Sequence, residues 1–146
     1  MTKLIAIAAD HGGYELKEIL IKDLQEQGYE IKDFGTYDEE AVDYPDYAHK
    51  VANTIKIGHI QTGILICGTG IGMSIAANRH SGIRAALCHN ETTARLAREH
   101  VDANILVLGA RIIGEVVAKD CVKIFLNTEF GGGRHVNRLN KIDILP

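Results

Sequence analysis

Basic charge is not in excess in this chain. Sixteen Lys and Arg face nineteen Asp and Glu, for a net charge of -3, which leaves no electrostatic footprint for nucleic acid or for an anionic membrane surface. Apolar runs long enough to span a bilayer are missing. The apolar start, Leu4-Ile5-Ala6-Ile7-Ala8-Ala9, runs straight into Asp10-His11. It lacks the length and processing site of an export signal and reads as a first strand. Cysteine is scarce: Cys67, Cys88 and Cys121 are odd in number, far apart and form no CxxC pair, which argues against a zinc or redox motif. Reduced thiols in a cytoplasm are the expectation. Internal repeats and low-complexity linkers are absent as well.

What is present fits one compact unit. A chain of 146 residues with 46% apolar residues can bury one core and is too short for two ordinary domains. Short β-type apolar runs alternate with longer stretches of helical period, the pattern of a parallel sheet covered by helices on both faces. Strands are predicted at 4–9, 30–33, 64–67, 84–88 and 104–108. Leu16, Ile19, Leu20 and Leu24 recur at helical spacing with Gly28 as the stop, and further helices are predicted at 47–57, 72–79, 91–99 and 112–127. The expected fold is a single-domain three-layer α/β/α sandwich with a five-stranded parallel sheet, Rossmann-like, in the flavodoxin-like order 2-1-3-4-5. It spans 1–146, with a basic tail segment at 131–146 after the run Gly131-Gly132-Gly133.

In open parallel sheets, ligands bind beyond the carboxyl ends of the strands where the strand order reverses, here between strands one and three. Strand one ends in Asp10-His11-Gly12-Gly13 and strand three in Cys67-Gly68-Thr69-Gly70-Ile71-Gly72-Met73-Ser74. Gly68, Gly70 and Gly72 let backbone N–H groups converge at a helix start, which suits a phosphate or a developing oxyanion. The spacing is neither the dinucleotide fingerprint nor a Walker loop, and a plain strand-to-helix turn would also use such glycines. Cys67, at a strand end beside a helix N-terminus, is placed where a thiolate is favoured and can act as base or nucleophile; a buried small hydrophobe is the alternative. Thr69 could orient the thiol or relay its proton. Asp10 and His11 are either crevice ligands or a helix cap.

His100 stands at the end of the helix before strand five, where a cation meets the helix dipole. If it is catalytic, it belongs to a neighbouring subunit's site, because strand five is expected at the far sheet edge; a homodimer with shared sites follows, with a tetramer left open. Arg134 and Arg138, four apart, share one helix face and could grip a phosphate, and Arg111 is a third candidate. Asp10, His11, Cys67 and His100 follow no close-spaced zinc pattern, so neither metal nor cofactor is expected.

Taken together, Ala9-Asp10-His11-Gly12-Gly13, Asp43-Tyr44-Pro45-Asp46-Tyr47-Ala48, the 66–74 run and Gly132-Gly133-Arg134-His135 resemble the type B ribose-5-phosphate isomerases, in the wider group that includes allose- and galactose-6-phosphate isomerases. The resemblance runs over essentially the whole chain. It implies interconversion of ribose 5-phosphate and ribulose 5-phosphate in the pentose phosphate pathway through a cis-enediolate, without metal or nicotinamide. Cys67 would match the base, assisted by Thr69, and His100 the residue that opens the furanose ring, with Asp10 on the sugar hydroxyls. The amides of Gly68, Thr69, Gly70, Ile71 and Gly72 would hold the enediolate oxygens. His11, Arg111, Arg134 and Arg138 would hold the phosphate, and Tyr44 would line the pocket. One departure stands out: Val101 occupies a substrate-contacting position where the family commonly carries Asn. That leaves open a six-carbon sugar phosphate, or a phosphosugar-binding subunit without turnover. A nucleotide-binding module of flavodoxin type is a further alternative.

Overall fold

The computed structural model describes residues 3–143; positions 144–146 of the tail segment lie outside the described residues. Along the chain run β1 (Leu4–Ala9), α1 (Tyr14–Glu26), β2 (Glu30–Asp33), α2 (Tyr44–Lys56), β3 (Thr62–Cys67), α3 (Ile71–Ala77), β4 (Ala85–Leu87), α4 (Glu91–Val101), β5 (Ile105–Gly109), α5 (Glu115–Asn127) and α6 (Arg134–Ile142). All strand pairs are parallel, as the alternation of apolar runs and helical stretches predicts.

Period-two alternation divides the core. Ile5, Ile7, Ile64, Ile66, Leu106 and Leu108 point to one face and pack with Leu20 and Leu24 of α1, Ala94 and Ala97 of α4, and Cys121 and Phe125 of α5. Ala6, Ala8, Leu65, Ile105 and Val107 point to the other, against Val51 and Ile55 of α2 and Met73 and Ala77 of α3. The result is the expected three-layer sandwich. Each Leu or Ile fully removed from water in it contributes about 2 kcal/mol.

The order of the sheet is β2-β1-β3-β5-β4, so the last two strands trade places relative to the flavodoxin-like order expected above. The cause lies in their composition. β5 is an apolar pentapeptide buried at every position, suited to the interior of a parallel sheet, whereas β4 is three residues long and half-exposed throughout, as an edge strand must be. Asn78 protects that edge: its side-chain oxygen accepts the Ala85 N–H at 2.8 Å and its amide donates to the Ala85 carbonyl at 2.9 Å. The reversal of strand order between β1 and β3 is untouched by the exchange, and with it the crevice.

Two helices begin three residues away from the predicted start. α2 starts at Tyr44, three residues early, because Asp43 stands at the cap position and Pro45 is tolerated in a first turn where its missing N–H is not needed. α5 starts at Glu115, since residues 109–113 form a turn closed by the N–H groups of Ile112 and Ile113 on the Gly109 carbonyl. Among the described residues no helix is long and apolar enough to cross a membrane.

One buried group runs against its type. The Lys17 side chain has no exposed surface, and its ammonium bonds Asp33 and Glu18, each at 2.8 Å, with the Tyr14 and Tyr37 rings 5.5 and 5.7 Å away. Burial alone would push its pKa down; the hydrogen bonds and charges of Asp33 and Glu18 outweigh burial and hold it above the ordinary lysine value. Asp33 in turn accepts the Gly35 N–H at 2.9 Å, so the pair ties α1 to the segment that leads from β2 toward Tyr44.

Candidate active site

Three loops meet at the carboxyl ends of the central strands. The β3–α3 loop turns at Gly70, whose φ of 81° is open to glycine and costly for other residues. That turn aims the Gly70 N–H at the Cys67 sulfur, 3.1 Å away. The Thr69 hydroxyl accepts the Ile71 N–H at 3.2 Å, which leaves its own O–H proton available as a donor. The β5–α5 loop lies alongside, with the Ala110 and Arg111 N–H groups donating to the Cys67 and Gly68 carbonyls, both at 2.9 Å. The Arg111 guanidinium covers Gly68: a Cβ there would stand 3.4 Å from it. A cation thereby lies over the glycine loop.

The β1–α1 loop supplies the acid. Asp10 is nearly buried, and its Oδ1 accepts the Gly13 N–H at 3.1 Å, which locks the turn before α1. Gly13, not Asp10, takes the cap position of that helix. Gly12 abuts the glycine loop, since a Cβ on it would lie 3.4 Å from the Gly68 nitrogen. His11 accepts the Val42 N–H on Nδ1 at 3.2 Å. Tyr44, first residue of α2, lays its ring across Gly72. Asp10, His11, Tyr44, Cys67, Thr69, the glycine loop and Arg111 therefore share one crevice.

The remaining predicted residues do not join them. Because β5 is central, the expectation that His100 sits by the sheet's far edge is corrected, yet His100 is remote for a different reason. It lies in the last turn of α4, at the amino ends of the strands. Arg84, just ahead of β4, donates to the Val101 and Asp102 carbonyls at 3.0 and 3.1 Å and fixes that turn. The length of β5, roughly 15 Å, separates this pole from the crevice. Arg134 and Arg138 are on α6, which is tethered there by the Gly131 N–H on the Glu99 carbonyl at 3.0 Å. Val101 is half-buried, packed against the core and lining a cavity of about 290 Å³ with Ile83, Ala85 and Ile142.

Sequence reasoning missed several partners. The backbone donors of Gly70 and Val42 carry no side-chain signal. His135 ends the run Gly132-Gly133-Arg134-His135 with no partner evident in the sequence; its ring stacks on His100. Lys17 could have been found, since it adjoins Leu16 and lies three and seven residues from Leu20 and Leu24, inside the apolar stripe of α1.

A parallel α/β fold whose topological crevice holds a thiol under a backbone donor, a nearly buried carboxyl group and an arginine over a glycine loop has the build of an enzyme for small anionic substrates. The chain matches the Ribose/Galactose Isomerase family over residues 5–142 and belongs to it. It is similar in structure to a ribose 5-phosphate isomerase of Thermotoga maritima, with a TM-score of 0.96 and 56% identity, covering 98% of this chain and 99% of that one. For the ribose-5-phosphate isomerase B of Clostridium thermocellum the TM-score is 0.95 and the identity 54%, covering 96% and 95%. In sequence it is 45% identical over 140 residues to ribose-5-phosphate isomerase B of Escherichia coli K12, covering 96% of this chain and 94% of that protein.

Proposed function

We propose that this chain is an aldose-ketose isomerase that interconverts ribose 5-phosphate and ribulose 5-phosphate through an enediolate, in the cytoplasm. The observation that carries the reading is the Cys67 sulfur at the carboxyl end of β3, held under the Gly70 N–H at 3.1 Å, with the Arg111 guanidinium over the neighbouring Gly68. Moving a proton between adjacent carbons needs a base at the C–H and donors at the oxygen where charge develops. As a thiolate, Cys67 takes the C2 proton of the open aldose and returns it to C1. The amides of residues 68–72 bind the enediolate oxygens, and a proton passes from O2 to O1 with Thr69 assisting. Asp10 engages the sugar hydroxyls and Tyr44 lines the pocket. His11, Arg111, Arg134 and Arg138 hold the phosphate, so that binding energy far from the reacting carbons orients them.

His100 opens the furanose ring before that step, and it does so from a second copy. The separation of His100, Arg134 and Arg138 from Cys67 within one chain supports an active site shared across a homodimer. Exposed Ile71, Ile75, Ile112 and Val116 around the crevice supply apolar surface for such a contact. The second reading, a binding subunit without turnover or an enzyme for a six-carbon sugar phosphate, is favoured by Val101, whose side chain offers no hydrogen bond and packs into the core.

The deciding experiment assays ribose 5-phosphate isomerisation by chelator-treated protein and by Cys67→Ala, with allose 6-phosphate alongside. Turnover that survives chelation and is lost in the variant supports the thiol mechanism and ranks the two sugars. No turnover by the intact protein on either sugar moves the assignment to the binding subunit.

A further inference from the structure

We propose that His135 is a positioning residue for His100, holding the ring-opening imidazole in one orientation by stacking on it. The proposal rests on the isomerase reading above and adds to it a residue to which that reading gives no part. The two rings lie 4.6 Å apart, centre to centre, with 15° between their planes, an offset-stack geometry. They come from different elements, His100 from the last turn of α4 and His135 from the first turn of α6, so the contact has to be built. Gly131 builds it: a Cβ there would meet the Glu99 carbonyl oxygen at 3.0 Å and the His135 ring at 3.9 Å. A side chain at residue 131 would push the segment a few tenths of an ångström from the end of α4. The buried Leu139, one turn further along α6, anchors that helix.

The His100 ring is exposed and stacks on His135. A histidine at a helix end with free rotation about its side-chain bonds samples several orientations, and a proton transfer to a sugar ring uses one of them. The charges around His135 suit a neutral partner. Burial and then the neighbouring His100, Arg134 and Arg138 lower its pKa below the ordinary histidine value, with Glu99 opposing. At neutral pH a flat uncharged ring therefore lies against His100. Because Arg134, His135 and Arg138 share the short helix α6, the same element that grips the phosphate sets the angle of the ring-opening group.

The test separates ring opening from proton transfer between carbons. Ribulose 5-phosphate cannot close a five-membered ring through its phosphorylated O5, so exchange of its C1 proton with heavy water needs Cys67 but no ring-opening step. His135→Ala should slow isomerisation of ribose 5-phosphate about tenfold while C1 exchange on ribulose 5-phosphate stays within about twofold of wild type. His135→Phe, which keeps a flat ring, should recover most of the lost isomerisation, and His100→Ala should show the same split in stronger form. Undiminished isomerisation in His135→Ala, an equal fall in both readouts, or a Phe variant as poor as Ala each overturns the proposal. If the wild type turns over and His100→Ala does too, the role assigned to His100 fails. If the wild type turns over neither substrate, the isomerase reading fails.

Discussion

The Tyr44 ring rests on Gly72 so closely that a Cβ at residue 72 would stand 2.4 Å from it. The first residue of α2 thus seals the second residue of α3 at the mouth of the crevice, and residue 72 is glycine to admit the ring. Gly72→Ala should push the half-exposed ring aside at a cost under about 1 kcal/mol of stability, since a side-chain end can move. Activity should suffer more: a displaced pocket wall of this kind lowers kcat/KM about tenfold or beyond. Thermal melts beside initial rates check the pair of effects, and removing the ring as well, in Gly72→Ala with Tyr44→Ala, should cost no further activity.

β1 and β2 are legible in the sequence to the residue, because 4–9 is an unbroken apolar run ended by Asp10, and 30–33 follows the stop at Gly28. The crevice is legible for a related reason. Asp10-His11 and the Cys67 loop end strands that must be neighbours wherever the strand order reverses. The order of β4 and β5 is not, since periodicity states that a strand exists but not which neighbour it takes; that depends on how completely each face is covered. Nor is the burial of Lys17, which needs Asp33 from another element to be tolerated, or the stack of His135 on His100, which depends on Gly131 passing the end of α4.

The three thiols should differ in reactivity. Burial pushes the Cys88 thiol up, and burial followed by the nearby Cys88, Asp120 and Glu91 pushes Cys121 up to about 11, so both stay protonated at pH 8. Cys67 faces the crevice. Iodoacetamide at about pH 8 should label Cys67 first, in step with loss of isomerisation, and ribose 5-phosphate should slow the labelling. Mass spectrometry of the digested protein reads the site; first labelling of Cys88 or Cys121 would contradict the assignment.

Lys17 should matter to stability in a pH-dependent way. Its folded pKa lies above the unfolded value of 10.5, so the pair with Asp33 and Glu18 contributes fully below 10.5 and is lost as pH rises through the folded pKa. Lys17→Met keeps the stem volume but leaves Asp33, about a quarter exposed, without its cation, at a cost of about 2 kcal/mol. Urea unfolding should show that gap steady between about pH 6 and 9 and closing above pH 10.5. A gap that widens at high pH would contradict the sign.

A shared active site makes a prediction that no single-chain site can imitate. On the roles proposed above, every site of Cys67→Ala lacks the base and every site of His100→Ala lacks the ring opener. A dimer formed from one of each pairs the intact Cys67 of the second variant with the intact His100 of the first in one site, and both defects fall together in the other. Half of the dimers in an equal, fully exchanged mixture are of this kind and each has one working site of two, so about a quarter of wild-type activity should return on mixing. Sites complete within one chain would return nothing above the sum of the two variants. Unfolding and refolding the variants together, with each refolded alone as the control, distinguishes the two cases. Recovery that scales with the fraction of mixed dimer would also assign Cys67 and His100 to opposite sides of one interface.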